Sequence, residues 1–202
     1  VTLTSPLLTV GRTDRSLIAK AIYDDLDFAA ANLPQPDKIA TAEFGRITAT
    51  AALAFKSRVA LFEGTRKKFF GLSGFALDLQ LAVDASNLVI TGGKHALFTY
   101  SAVPDSSYYY QFQYAGEGPA NRENILSKIY GQNDLNRIAS HTFSSAENNR
   151  FITATKSLVD AYGYKDGLPA GKSPFYQPNQ TSTLTETVNR DPRLGMNIIN
   201  KN

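Results

Sequence analysis

Apolar residues recur at three- and four-residue spacing over the first half of the chain, and that period disappears in the second half. Between Asp14 and Asn32, Leu17, Ile18, Ala21, Ile22, Leu26 and Ala29 share one side of a helical projection, while Lys20, Asp24, Asp25 and Asp27 fall largely on the other. This is the signature of an amphipathic helix. Thr13 or Asp14 can cap its start, and Pro34 and Pro36 stop it. A second helix is expected after Gly45-Arg46, with Thr48 as N-cap and Gly64 as C-terminal cap. Its buried stripe is Ala51, Ala52, Phe55, Val59 and Phe62. A third helix, capped by Ser73, runs to about Ile90 with Phe75, Leu79, Ala82, Val83, Ser86 and Ile90 inward, and Thr91-Gly92-Gly93 ends it. The alanines of the second helix permit close approach by a neighbour. Helices two and three therefore read as an antiparallel hairpin, similar to a tetratricopeptide unit though longer.

After Lys94 turn residues and aromatics replace the helical period. Tyr108, Tyr109, Tyr110, Phe112 and Tyr114 crowd one short stretch. If that stretch is extended, its rings point alternately to opposite faces, so one ring is left either to lie on the surface or to meet a ligand. Asn124 to Tyr130 fits a short strand or a short helix, Gly131 to Arg150 is polar and irregular, and Thr153 to Tyr162 fits a short helix through Leu158, Val159 and Tyr162. The remainder, from Tyr164, is loop-like. The expected architecture is one mainly α domain with little strand: a helical-hairpin part at residues 1–93 and a loop-rich part at residues 94–202.

Composition narrows the function classes. A chain of 202 residues can bury a core, and 43% hydrophobic with 19% charged residues argues against disorder throughout. The net charge of +3 is scattered. Its one cluster, Arg66-Lys67-Lys68, reads as a solvated helix end, and without a basic stripe no nucleic-acid partner is expected. The absence of cysteine removes disulfides, thiolate metal sites and cysteine nucleophiles. No apolar run reaches membrane-spanning length. The opening Val1-Thr2-Leu3-Thr4-Ser5-Pro6 lacks the charged and apolar regions of a signal peptide, and lacks an initiator methionine, so the chain reads as processed, trimmed or cut from a longer protein.

The chemical motifs are incomplete. Gly167-Leu168-Pro169-Ala170-Gly171-Lys172-Ser173 has three residues between its glycines where a phosphate-binding loop needs four, and a proline among them. Gly71-Leu72-Ser73-Gly74 closes one residue too early for a nucleophile elbow. His95 and His141 lack partners at metal-ligand spacing, and Asp24 and Asp25 lie on the polar side of their helix. No catalytic residue, metal or cofactor is expected. Asp191 before Pro192 is biased to extended backbone, and Arg190, Asp191 and Arg193 form a candidate fold-holding ion-pair cluster.

Three stretches in order resemble the SusD/RagB family of nutrient-uptake outer-membrane lipoproteins. The first is Gly45-Arg46-Ile47-Thr48 followed by the alanine-rich helix ending Arg58-Val59-Ala60-Leu61-Phe62. The second is the aromatic segment Tyr109 to Tyr130 with its Asn124-Ile125-Leu126. The third joins Ser157 to Tyr162, Asp166-Gly167-Leu168-Pro169 and Asn189-Arg190-Asp191-Pro192-Arg193-Leu194. The resemblance is to a central segment of longer proteins. It implies a SusD-like fold of tetratricopeptide-type hairpins carrying a loop-rich ligand-binding part. It further implies a cell-surface location at the outer membrane, through a lipid anchor upstream of this chain, and capture of glycans or similar polymers without catalysis. The implied partner is a SusC-like TonB-dependent transporter. The alternative is a protein-interaction module that docks on the transporter while missing parts of the chain contact ligand. Sugars offer apolar C–H faces and many hydroxyls, which aromatic rings, amides and guanidinium groups can match. The candidate binding residues are therefore Tyr108 and Tyr110 of the aromatic run, and Phe143, Asn148, Asn149 and Arg150 of the polar stretch.

Overall fold

The structure, a computed structural model, describes residues 4–5, 9–127, 154–178 and 183–197. Its secondary structure there is helical, with one isolated bridge between Tyr164 and Arg190. Three long helices lead: α1 (Arg15–Asn32), α2 (Ala49–Phe69) and α3 (Phe75–Thr91). Four short ones follow: α4 (Ser107–Gln111), α5 (Lys156–Ala161), α6 (Thr183–Glu186) and α7 (Pro192–Asn197). The chain forms two compact units, Val1–Leu97 with Arg122–Lys128, and Phe98–Asn121 with Ile129–Asn202.

The first unit is built from α1, α2 and α3, with α2 packed against both neighbours. Asp14 caps α1 by accepting from the Ser16 N–H at 2.8 Å, and Leu33 ends it in extended backbone before Pro34. The Ala49 N–H donates to the Pro34 carbonyl at 3.0 Å, which ties the start of α2 to the end of α1. Thr48 caps α2 through the Ala51 N–H. The core is small: Ala19, Tyr23, Ala60 and Ala82 are buried together, with Val59 and Leu81 against them. Side chains of this size let the helix backbones approach closely.

The expected helices are present, and Ala51, Ala52 and Ala82 are buried and Val59 packs on the core as expected, but the rest of each buried face differs from the apolar stripe. In α1 the buried residues are Ala19 and Tyr23, while Leu17, Ile18 and Ala21 are exposed and Ile22, Leu26 and Ala29 are half-buried. In α2 Phe55 and Phe62 point outward, and Lys56 and Glu63 point in. Gly64 does not end α2. It sits inside the helix, where a Cβ would lie 2.8 Å from the Leu79 side chain and 3.0 Å from the Leu79 nitrogen. In α3 the cap is Gly74 rather than Ser73, at φ 80, and Val83 and Ile90 are exposed while Asp78, Ala85 and Val89 are buried beside Ala82.

Ion pairs between helices account for this rotation, because a buried charge must be paired or bonded. Glu63 accepts from Arg15 of α1, with Nε at 3.0 Å, and from Arg66 at 3.1 Å. These bonds, Arg15 foremost, hold its carboxyl below the usual carboxylate range. Lys56 meets Asp27 of α1 at 2.6 Å. Asp78 of α3 accepts from the Tyr23 hydroxyl of α1 at 3.1 Å and lies 2.5 Å from the Lys67 ammonium of α2. The cluster Arg66-Lys67-Lys68 is thus not simply a solvated helix end: Arg66 and Lys67 are committed inward, and Lys68 is exposed. Between α2 and α3, the Ser57 and Ser86 hydroxyls lie 2.6 Å apart and both reach the Ala82 carbonyl.

Burial first, and then the neighbouring Asp78 carboxylate, raise the Tyr23 phenol above its ordinary range. An acid whose folded pKa is raised stabilises the fold fully below its unfolded pKa, near ~10 for tyrosine, and loses that stabilisation as pH rises beyond it. The melting temperature is therefore expected to fall above about pH 10, and to fall less in Tyr23→Phe. Thermal melts of both proteins from neutral to alkaline pH test this. Parallel alkaline slopes would remove Tyr23 as the cause.

The loop after α3 is fastened to the start of α2. Arg122 donates from Nε to the Lys94 carbonyl at 3.1 Å and from Nη2 to the Gly93 carbonyl, and its own carbonyl accepts from the Ala96 N–H at 3.3 Å. His95 Nδ1 lies 2.9 Å from that Arg122 carbonyl, and Nε2 lies 2.9 Å from Thr50 Oγ1, which is 3.2 Å from Thr48 Oγ1.

Candidate functional site

The aromatic run after Val103 lies in the second unit, and it is helical rather than extended. Ser107 pins its start: Oγ donates to the Pro104 carbonyl at 2.6 Å and accepts from the Tyr100 N–H at 2.9 Å. The helix α4 then places Tyr108 and Phe112 one turn apart, their rings edge-to-face at 5.3 Å. Tyr110 lies against Tyr100 at 4.2 Å with a 30° tilt, and meets Tyr109 edge-on at 5.3 Å. Tyr108 and Tyr110 are both half-buried. The exposed rings are Tyr109, Phe112 at 67% and Tyr114 at 83%. A tight turn at Tyr114–Gly116 follows, locked by the buried Asn121 amide donating to the Gly116 carbonyl at 2.8 Å. Gly116 itself admits no side chain, because a Cβ there would collide with the Gln111 backbone.

The polar partners come from distant sequence. Helix α7 packs on α4. The Asn197 amide of α7 donates to the Tyr162 hydroxyl at 2.6 Å and to the Tyr108 hydroxyl at 3.1 Å. Arg193, one turn earlier, is held by Asp191 through Nε at 2.9 and 3.1 Å. The pairing lowers the Asp191 carboxyl and raises the Arg193 guanidinium, which is also raised by its proximity to the Tyr108 and Tyr162 hydroxyls. Aromatic edges, an amide, two phenols and a guanidinium are thus gathered within the unit.

Behind this arrangement, Arg190 does not join the Asp191–Arg193 pair. Its guanidinium lies 4.4 Å over the buried Tyr164 ring, and Nη2 donates to the Val159 carbonyl at the end of α5. Asn189 adopts φ 59 to make this turn, and the Lys165 N–H donates to its carbonyl at 2.8 Å. The Gly167–Ser173 loop closes on Asp166, which accepts from the Leu168 N–H at 3.0 Å and from Ser173 Oγ at 2.6 Å. It is a structural turn.

Of the residues expected to bind, the structure brings Tyr108 and Tyr110 into the aromatic cluster. Phe143, Asn148, Asn149 and Arg150 lie outside the described residues, as does His141. Sequence reasoning passed over Phe112 and Tyr114 as contacts, and missed Tyr100, Tyr162, Arg193 and Asn197. The one signal available was the four-residue spacing of Tyr108 and Phe112. Among the described residues no group of three or more His, Asp or Glu side chains is placed to hold a metal ion, and no helix is long and apolar enough to cross a membrane.

No protein-family model and no curated protein matches the sequence. Solved structures do share its backbone. One is a SusD-like carbohydrate binding protein from Bacteroides fragilis, with a TM-score of 0.63 at 22% identity over 93% of this chain and 32% of that one. The fold is SusD-like. A second SusD-like protein from Bacteroides fragilis aligns at a TM-score of 0.62 and 20% identity, over 97% of this chain and 36% of that one. The chain spans about a third of the length of either structure. The mainly helical SusD-like architecture thus agrees with the expectation from sequence, down to the near absence of strand among the described residues.

Proposed function

We propose that this chain is a non-catalytic glycan-binding segment of a cell-surface nutrient-capture protein. The observation that carries the reading is the exposed aromatic surface of the α4 segment, with Asn197 and Arg193 gathered beside Tyr108 in the same unit. Rings cover the C–H faces of sugars, and amide, phenol and guanidinium groups bond the hydroxyls. The carboxylate of this cluster, Asp191, is occupied by Arg193, so the surface offers contacts rather than a free base. The SusD-like fold supports the same reading, one of the solved neighbours being a carbohydrate binding protein. The proposal includes delivery of the captured polymer to a SusC-like TonB-dependent transporter, and attachment at the outer-membrane surface through a lipid anchor upstream of this segment.

The test is affinity electrophoresis through gels containing a panel of polysaccharides. One glycan is expected to retard the chain. Phe112→Ala and Tyr114→Ala are each expected to weaken that retention roughly tenfold, since a stacked ring contributes about 1–1.5 kcal/mol. Both rings are exposed, so circular dichroism should be unchanged. Failure of every glycan to retard the chain would defeat the reading, as would retention that survives loss of both rings.

A further inference from the structure

The polar groups beside the α4 rings are not a balanced set of donors and acceptors. Asn197 of α7 is at their centre. Its Nδ2 lies 2.6 Å from the Tyr162 hydroxyl and 3.1 Å from the Tyr108 hydroxyl. An amide nitrogen only donates, so both phenol oxygens act as acceptors in these bonds. Each phenol therefore keeps its own O–H proton for a further acceptor. The amide oxygen is a poor one, standing 3.4 Å from the Tyr108 oxygen, where an O–H···O bond is usually no longer than about 3.0 Å.

Arg193, one turn before Asn197 on the same helix, adds donors of the same kind. Its Nε and Nη2 are spent on the Asp191 carboxylate. Its Nη1 has no partner among the described residues, and the side chain is 59% exposed. Asp191 is filled in return, since it also accepts the Arg193 backbone N–H at 2.9 Å. The group thus offers two phenol protons and a guanidinium NH2 with little acceptor capacity, and none of the side chains that carry them is buried. A sugar hydroxyl both donates and accepts, so its own proton would find no good partner here. A carboxylate only accepts, has room for several donors at once, and makes shorter and stronger bonds with them.

We propose that the α4–α7 surface selects acidic glycans, a uronate carboxylate being received by the Tyr108 and Tyr162 hydroxyls and Arg193 Nη1 while Phe112 and Tyr114 cover sugar rings. The inference rests on the glycan-binding reading above and narrows it to a substrate class.

The test is isothermal titration of the full chain with polygalacturonate, alginate and hyaluronate, each beside its own methyl ester. Salt of about 0.15 M screens diffuse attraction to the net charge of +3. Esterification keeps the sugar and removes the anion. At least one acid is expected to bind about tenfold or more tighter than its ester. Tyr162→Phe removes one donor and keeps the ring, so it should weaken that acid about tenfold and move the ester by less than about twofold. Asn197→Asp puts a carboxylate where the amide donates and draws both phenol protons inward, so the preference for the acid should vanish with circular dichroism unchanged. If an ester or neutral xylan binds as tightly as every acid, and does so through Phe112 and Tyr114, this inference falls and glycan capture stands. Dextran sulfate bound as tightly as the acid, with both variants indifferent, would reduce the effect to charge alone and overturn the assignment. If no glycan of either kind binds, both readings fall.

Discussion

Replacing Asp78 by alanine is expected to destabilise the first unit by about 3–5 kcal/mol, the range for breaking a buried ion pair from one side. Asp78 is 3% exposed and serves two helices, accepting from Tyr23 of α1 and facing Lys67 of α2. Its removal leaves a largely buried ammonium with no counter-charge and a buried phenol with no acceptor, and each carries a desolvation cost. Urea denaturation followed by helix circular dichroism gives the measurement, with exposed Asp84→Ala as the control expected near zero. The double variant Asp78→Ala/Lys67→Met should recover part of the loss, because the stranded charge is then gone. A midpoint for Asp78→Ala matching that of Asp84→Ala would show that the pair holds nothing.

Leu194→Ala carries the second large effect, in the other unit. Leu194 is the largest fully buried side chain among the described residues, and truncating such a leucine costs about 2–5 kcal/mol. The consequence reaches the ligand surface because α7 also presents Arg193 and Asn197, the latter holding the Tyr108 and Tyr162 hydroxyls. The chain has no tryptophan, so near-ultraviolet circular dichroism reports on its tyrosines. That signal is expected to be lost at lower urea in the variant, with glycan retardation reduced in parallel. A variant that keeps wild-type retardation while melting early would separate α7 from binding. One that melts like wild type would contradict the packing of Leu194.

Local chemistry made the ends of α1 and the start of α2 legible. Of the two candidate caps Thr13 and Asp14, Asp14 caps α1, Thr48 caps α2 as expected, and Pro34 falls where the first helix stops. Ala51, Ala52 and Ala82 were legible as inward-facing, but the large residues and charges of each buried face were not. A stripe of Leu, Ile and Phe is normally the best guide to burial, but here three of the four buried core residues are alanines, Tyr23 being the fourth, and ion pairs occupy much of the inward face. Those pairs link residues 15 to 63, 27 to 56 and 67 to 78, and no periodicity reveals them. Gly64 misled for a related reason: a glycine at a plausible helix end was in fact reserved for the close approach of Leu79. At the candidate site the aromatic run was visible as composition. Its helical form depends on Ser107 fastening Tyr100 and Pro104, and Tyr162 and Asn197 reach Tyr108 only through the fold.

The hydroxyl chain from His95 to Thr48 has a direction, and that direction is reversible. The Arg122 carbonyl can only accept, so Nδ1 carries a proton in either charge state of the ring. With a neutral imidazole, Nε2 accepts from Thr50, which in turn can accept from Thr48. With an imidazolium, Nε2 donates, and the Thr50 hydroxyl rotates to donate towards Thr48. A carbonyl in place of Thr50 would bond only one form of the ring, and a backbone amide only the other. The threonine can do either, so this fastening between the loop and α2 keeps its hydrogen-bond count whichever way the chain of donors runs.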